Sequence, residues 1–148
     1  MKAVLQRVKQ AECRVDGAVT GSCSKGLLVF FCAEQGDTED MLPRFLGKIL
    51  KLRVFEDGEG KMNLSLHDIS GTVLFISQFT LAARLWKGNR PSFDRSMKPE
   101  EAEKLYLKAL EWLRSEGIGT GEGRFGAHMD ITAENDGPVT IILDSRGD

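Results

Sequence analysis

GLLVFFCAE, residues 26–34, is the stretch on which the architecture turns: a continuous apolar run, rich in Val and Phe, with no alternating polar position. A short run of this kind reads as a central strand buried on both faces. A second one, TVLFISQ at 72–78, reads the same way. Outward from these two, Lys2–Val8 reads as a strand, with Lys2, Val4, Gln6 and Val8 alternating polar and apolar, and Glu12–Thr20 reads as a strand that folds at the Asp16-Gly17 turn. Val54 and Phe55 start another strand, which breaks at Asp57-Gly58-Glu59-Gly60. Met129–Ala133 and Val139–Leu143 read as two short strands joined through Glu134-Asn135-Asp136-Gly137-Pro138.

Two segments carry helical periodicity instead. From Asp37 onward, Leu42, Phe45, Leu46 and Ile49 recur at helical spacing, with Asp37 or Thr38 as the cap and Pro43 in the first turn. From Pro99 to Ser115, residues Ala102, Leu105, Tyr106, Ala109, Leu110 and Leu113 follow the i, i+3, i+4, i+7 rule, with Pro99 suited to the first turn and Gly117 to the C-terminal cap. Between the elements lie a long basic loop, Ala82 to Lys98, and a glycine-dense connector, Gly119 to Gly126. Roughly seven or eight strands with two helices imply an α/β (α+β) fold: a curved, mostly antiparallel sheet or open β-barrel with both helices packed on it. One domain spanning 1–148 is expected, because a chain of 148 residues buries roughly two-thirds of its unfolded surface and has room for one core.

Composition narrows the function classes. A net charge of −2 and a pI near 5.8 lack the overall basic footprint of a protein that coats a nucleic-acid backbone, so any RNA contact must be local. Cys13, Cys23 and Cys32 are an odd count with no Cys-x-x-Cys, and His67 and His128 lie far apart, so neither a disulfide framework nor a metal site is expected. No apolar run reaches a membrane span and the start of the chain lacks a signal-type apolar block, which predicts a soluble protein of the reducing cytoplasm.

Four segments are candidates for chemistry. Ser77-Gln78-Phe79-Thr80-Leu81 follows an apolar strand, so its polar side chains and N–H groups emerge where sheet pairing stops, an edge able to hold an oxyanion. Ser77 or Thr80 as nucleophile needs an adjacent base, and neither histidine is near in sequence; taken alone, the segment reads as an ordinary strand end. In Asn135-Asp136-Gly137-Pro138-Val139-Thr140, a plain hairpin turn competes with a cis Gly137-Pro138 peptide that aims two carbonyl oxygens in one direction. Gly123-Arg124-Phe125-Gly126-Ala127-His128-Met129 is either a substrate loop or a turn whose Phe and Met fill the core. Arg84, Lys87, Arg90 and Arg95, interleaved with Trp86 and Phe93, either hold phosphates and stack a base or form a solvated loop.

Together, SQFTL at 77–81, KGNRPSF at 87–93, GRFGAHM at 123–129 and NDGPVT at 135–140 resemble the D-aminoacyl-tRNA deacylases, and KAVLQRV and DGEGKMN extend the resemblance to essentially the whole length. The resemblance implies a cytoplasmic homodimer, without cofactor or metal, that hydrolyses the ester between a tRNA 3′ end and a D-amino acid. It assigns the pocket floor and the catalytic groups to Ser77, Gln78, Phe79 and Thr80, with the Phe79 and Thr80 N–H groups near the ester carbonyl. Met129 lines the adenine side, Gly137-Pro138 of the opposite chain enters as a chiral gate, and Arg7 braces that dipeptide. Attraction to one methyl-sized group yields only roughly 1–3 kcal/mol of discrimination, so exclusion of L side chains by the gate is the stronger device. Glycine offers nothing to exclude, which predicts cleavage of glycyl-tRNA as well. An aminoacyl ester is already activated, so water oriented by the substrate's own 2′-hydroxyl suffices, with Thr80 as nucleophile the competing mechanism.

Overall fold

The computed structural model describes residues 1–147. Strands β1 (Lys2–Val15), β2 (Ala18–Cys23), β3 (Gly26–Cys32), β6 (Thr72–Ser77), β7 (Thr120–Glu122) and β8 (Asp130–Asp144) form one sheet, and β4 (Phe55–Glu56) with β5 (Met62–Leu64) forms a small hairpin. The main sheet runs β2-β1-β3-β6-β7, with β8 along the other edge of β1. The β1 pairings are antiparallel, whereas β3–β6 and β6–β7 are parallel, so the sheet is mixed.

Double burial of the two apolar runs explains why they sit at the centre. Leu27, Val29 and Phe31 of β3 join Val73 and Phe75 of β6 in a core beneath the helices, while Leu28, Leu74 and Ile76 face a second core inside the curve of the sheet. Each such side chain contributes roughly 1.5–3 kcal/mol on burial, which a strand wet on one face would forfeit. The sheet nearly closes on itself where β2 meets β7. A Cβ on Gly21 would stand 2.3 Å from the Glu122 carbonyl oxygen, and one on Gly121 would stand 2.3 Å from that of Ser22, so only glycine lets the two backbones approach this closely. β7 itself was hidden in the expected connector, because Thr120-Gly121-Glu122 has no apolar residue to announce a strand.

The structure revises three further expectations. β1 is one strand through Val15, because the exposed Gln10 pairs with Glu134 of β8 although it buries nothing. The expected turn does follow it, with Asp16 at φ 50° and Gly17 at φ 79°, the pair of positive angles of a tight hairpin. Asp37 and Thr38 do not cap the first helix: a 3₁₀ turn, Glu39–Met41, precedes α1 (Leu42–Lys51) and Met41 is its N-cap, with Pro43 in the first turn. Asp37 is drawn elsewhere, its carboxylate accepting from the Glu34 N–H at 2.7 Å and lying 2.6 Å from the Met1 ammonium.

The third revision concerns the last strand. The two short strands expected around Gly137-Pro138 are one, β8, which follows β1 from Lys2↔Asp144 to Arg14↔Asp130. Gln6 pairs with Thr140 and Val8 with Asn135, so a single residue of β1, Arg7, faces the four residues from Asp136 to Val139. The sequence therefore forms a wide bulge within a strand where a hairpin loop was expected. The Gly137–Pro138 peptide is cis, and both residues are exposed. Among the described residues, the far edge of β8 has no partner strand; Ile131, Ala133, Val139, Ile141 and Leu143 along it are half-buried and Ile142 is 75% exposed.

α1 and α2 (Pro99–Ser115) both lie on the first core. α2 matches its expected bounds, buries Ala102, Leu105, Tyr106, Ala109, Leu110 and Leu113, and ends at Gly117 with φ 77°. Its Tyr106 ring stacks on Phe75 at 5.6 Å, and the phenol donates to the Phe75 carbonyl at 2.7 Å. That carbonyl lies on β6 near its C-terminal end, so the helix pins the strand from which the site grows.

Candidate active site

β6 delivers the SQFTL segment to the surface. The Gln78 N–H donates to the Phe31 carbonyl at 2.7 Å, the last rung between β6 and β3, and the chain then turns through a 3₁₀ helix, Phe79–Ala82. Leu81 N–H donates to the Gln78 carbonyl at 3.2 Å and Ala83 N–H to that of Thr80 at 3.1 Å. The first N–H groups of such a turn have no partner within it, which leaves those of Phe79 and Thr80 for another acceptor. The Cys32 thiol lies 3.5 Å from the Phe79 carbonyl and donates to it. Burial, reinforced by the Glu34 carboxylate, pushes that thiol up to about 11, so it stays protonated at neutral pH.

A cleft of about 610 Å³ opens against this strand end. Its floor is Ile76, Ser77, Gln78 and Phe79; Met129 and Ile131 form one wall, Phe93 and Met97 of the basic loop another, and Pro99 and Ala102 at the start of α2 a third. Phe79 and Phe93 meet edge to face with centroids 5.1 Å apart, and Phe125, which also lines the cleft, packs on Tyr106 at 6.0 Å. An apolar cleft with a few polar groups on one side is the ordinary form of a small-molecule or nucleoside site.

Of the residues singled out from the sequence, Ser77, Gln78, Phe79 and Met129 come together here, and the GRFGAHM segment contributes Phe125 through Met129. Thr80 is exposed beside the cleft and outside its lining, and its hydroxyl accepts from the Gln78 side-chain amide. A carboxamide is no base, so this contact does not activate Thr80 for attack. His128 reaches the rim, a placement that its distance from SQFTL in sequence conceals, but its side chain is 93% exposed and its Nε2 faces Asp130 Oδ1 at 3.5 Å. Phe93, read from the sequence as a base-stacking or a solvated loop residue, and Phe125, read as a substrate-loop or a core-filling residue, both line the cleft, and both pack on a neighbouring ring. Among the described residues, no cluster of three His, Cys, Asp or Glu side chains is placed to hold a metal ion, and no helix is long and apolar enough to cross a membrane.

Arg7, Gly137 and Pro138 stand apart, none of them in the lining of that cleft. Arg7 is buried, donates from Nη1 to the Val54 carbonyl at 2.6 Å and from Nε to the Asp136 carbonyl at 2.8 Å, and has the carboxylates of Asp136 and Glu56 at 3.6 and 3.8 Å. Charge-assisted bonds to two carbonyls on different segments fix the backbone immediately before Gly137. The bulge is thus exposed yet held from beneath.

The family model for D-Tyr-tRNA(Tyr) deacylase matches residues 4–144. Relatives named D-aminoacyl-tRNA deacylase include one from Jannaschia sp. (strain CCS1), 50% identical over 98% of this chain and 99% of the relative. Another, from Aquifex aeolicus (strain VF5), is 49% identical over 99% of both. Among solved structures, c-Myc DNA Unwinding Element Binding Protein superposes with a TM-score of 0.92 at 41% identity, over 99% of this chain and all of that one.

Proposed function

The chain belongs to the D-Tyr-tRNA(Tyr) deacylase family, and from that membership we propose that it hydrolyses the ester between a tRNA 3′ end and a D-amino acid and rejects L-aminoacyl-tRNA. The observation that carries the stereochemical part is the separation just described: a cleft with the Ser77–Phe79 floor, and an exposed bulge at Gly137-Pro138, braced by Arg7, that does not reach it. In this reading the bulge acts on the cleft of a second copy, which the half-exposed apolar face of β8 supports as a pairing edge. Its two carbonyl oxygens accept from the substrate's α-amino group and occupy the space that an L side chain requires.

Within the cleft, the terminal adenosine lies against the Ser77–Phe79 edge with Met129 on the adenine side, and the Phe79 and Thr80 N–H groups receive the oxyanion as water attacks. Donors already in place when charge develops contribute about 3 kcal/mol each in comparable acyl-transfer sites. The substrate's 2′-hydroxyl orients the water, and Thr80 stays uncoupled from proton transfer, in keeping with its bond to Gln78. Glycyl-tRNA, having no side chain for the bulge to meet, is a substrate too.

Incubating the purified chain with D-tyrosyl-tRNA and glycyl-tRNA tests the reading. Both esters are expected to be released well above their spontaneous rates. Intact D-tyrosyl-tRNA would remove the hydrolase assignment, and intact glycyl-tRNA beside cleaved D-tyrosyl-tRNA would remove steric exclusion as its basis.

A further inference from the structure

The basic loop has a feature that the cleft chemistry leaves unused. Arg84 and Ser92 exchange backbone hydrogen bonds at 2.8 and 3.2 Å, closing the neck of a loop whose far part holds Leu85, 63% exposed, and Trp86, 102% exposed. The base of the loop is fixed: Gln35 N–H donates to the Arg95 carbonyl at 2.9 Å, Met97 N–H to that of Ala33 at 3.1 Å, and the Gln35 amide to that of Asp94 at 2.7 Å. A fully exposed indole on an anchored loop forgoes the burial that ordinarily stabilises tryptophan, so it is a contact in waiting.

Charge and position say for what. Residues 82–98 hold five of the chain's 20 Lys and Arg against one of its 22 Asp and Glu, in a protein of net charge −2. Arg84 pairs with that one carboxylate, Asp94, at 3.1 Å; among the described residues, Lys87, Arg90 and Arg95 have no ion-pair partner. A groove of about 830 Å³ runs beside Trp86, lined by Arg84, Leu85, Lys87, Ser92 and Arg95. The wall between this groove and the cleft is shared, with Ser92, Asp94 and Arg95 facing the groove and Phe93 and Ser96 facing the cleft. A ligand that leaves the cleft over Phe93 therefore enters a basic groove with an aromatic plate.

We propose that this loop is the seat for the unpaired nucleotides that lead into the aminoacylated 3′ end, with Trp86 stacking a base and Lys87, Arg90 and Arg95 holding the adjacent phosphates. The inference rests on the RNA substrate proposed above and extends it from the terminal adenosine to the strand behind it. Base stacking on an exposed aromatic tolerates any base, and lone cations beside it serve phosphates without reading sequence. A locally basic groove on an acidic protein also confines RNA to one face.

Two measurements test it, one of them independent of catalysis. In Trp112→Phe protein, Trp86 is the remaining indole, and its emission is followed during titration with uncharged tRNA and with the same tRNA trimmed of its single-stranded 3′ end. Quenching by the intact tRNA alone is expected, and Trp86→Ala is expected to weaken binding about tenfold, with Trp86→Phe retaining most of the affinity. Replacing Lys87 and Arg90 by Ala is expected to lower the salt slope of binding by about 0.7 for each phosphate that is no longer neutralised. With D-aminoacyl-tRNA, Trp86→Ala raises KM about tenfold at unchanged kcat, while hydrolysis of a D-aminoacyl-adenosine, which has no upstream nucleotides, stays at the wild-type rate. Emission that does not respond to intact tRNA, equal quenching by trimmed tRNA, or wild-type affinity in Trp86→Ala overturns the proposal. Quenching without ester hydrolysis would leave the loop's role standing and remove the hydrolase reading; hydrolysis with a silent Trp86 would do the reverse.

Discussion

Arg7→Met is the most informative single change, because it keeps roughly the volume of a buried side chain while removing every donor. Arg7 makes two charge-assisted bonds, to the Val54 carbonyl at 2.6 Å and the Asp136 carbonyl at 2.8 Å. Bonds to charged groups contribute about 1.5–3 kcal/mol each, so the loss of both is worth roughly 3–6 kcal/mol. That is a large part of the roughly 5–15 kcal/mol that holds a domain of this size together. Urea unfolding should show a lower midpoint at an unchanged slope, and Arg7→Lys, which keeps the charge but reaches one carbonyl, should fall between. The bulge loses its brace in the same step. At a temperature where the variant is still folded, cleavage of L-tyrosyl-tRNA is therefore expected to rise while D-tyrosyl-tRNA is cleaved within a few-fold of the wild-type rate. A variant within about 1 kcal/mol of wild type and with unchanged selectivity would falsify the idea that Arg7 positions the Asp136–Pro138 backbone.

Three further outcomes follow from particular contacts. A Cβ on Gly137 would lie 2.5 Å from the Val139 backbone nitrogen, so Gly137→Ala must displace the bulge, at a cost of roughly 1–3 kcal/mol in urea unfolding, and should relax selectivity against L esters. Thr80→Ala loses only the hydroxyl held by Gln78, so single-turnover cleavage of D-tyrosyl-tRNA should stay within about tenfold of wild type, whereas loss of several orders of magnitude would make Thr80 a nucleophile. The Cys32 thiol, raised from 9.0 to about 11 chiefly by burial, binds its proton more tightly in the folded chain; its contribution is complete below pH 9 and lost as pH rises toward 11, a decline that Cys32→Ala should lessen in pH-dependent unfolding.

How far the sequence could be read depended on whether a segment declares its own burial. α2 was legible to the residue because its apolar face is unbroken and a proline and a glycine frame it. The central strands were legible for the same reason, GLLVFFC having a hydrophobic partner on each face. β7 and the middle of β1 were not, since Thr120-Gly121-Glu122 and Gln10 are held by backbone pairing and bury no apolar side chain. The bulge was read as a turn because Asn, Asp, Gly and Pro favour both, and only the facing strand reveals that β8 continues beyond it. In the site, the motifs located the floor at Ser77–Phe79 and the wall at Met129, while the approach of Phe93 to Phe79 and of His128 to the rim comes from tertiary packing that no local pattern encodes.

The central claim is exclusion of one hand of the substrate, and it is met most directly by the ratio of single-turnover rates for D- and L-tyrosyl-tRNA with enzyme in excess. Attraction alone, at roughly 1–3 kcal/mol, separates two substrates by at most about 200-fold. A ratio well above that, with the L ester decaying no faster than in buffer, is the expected result. A ratio within about tenfold, with both esters cleaved above their spontaneous rates, would contradict exclusion by the bulge.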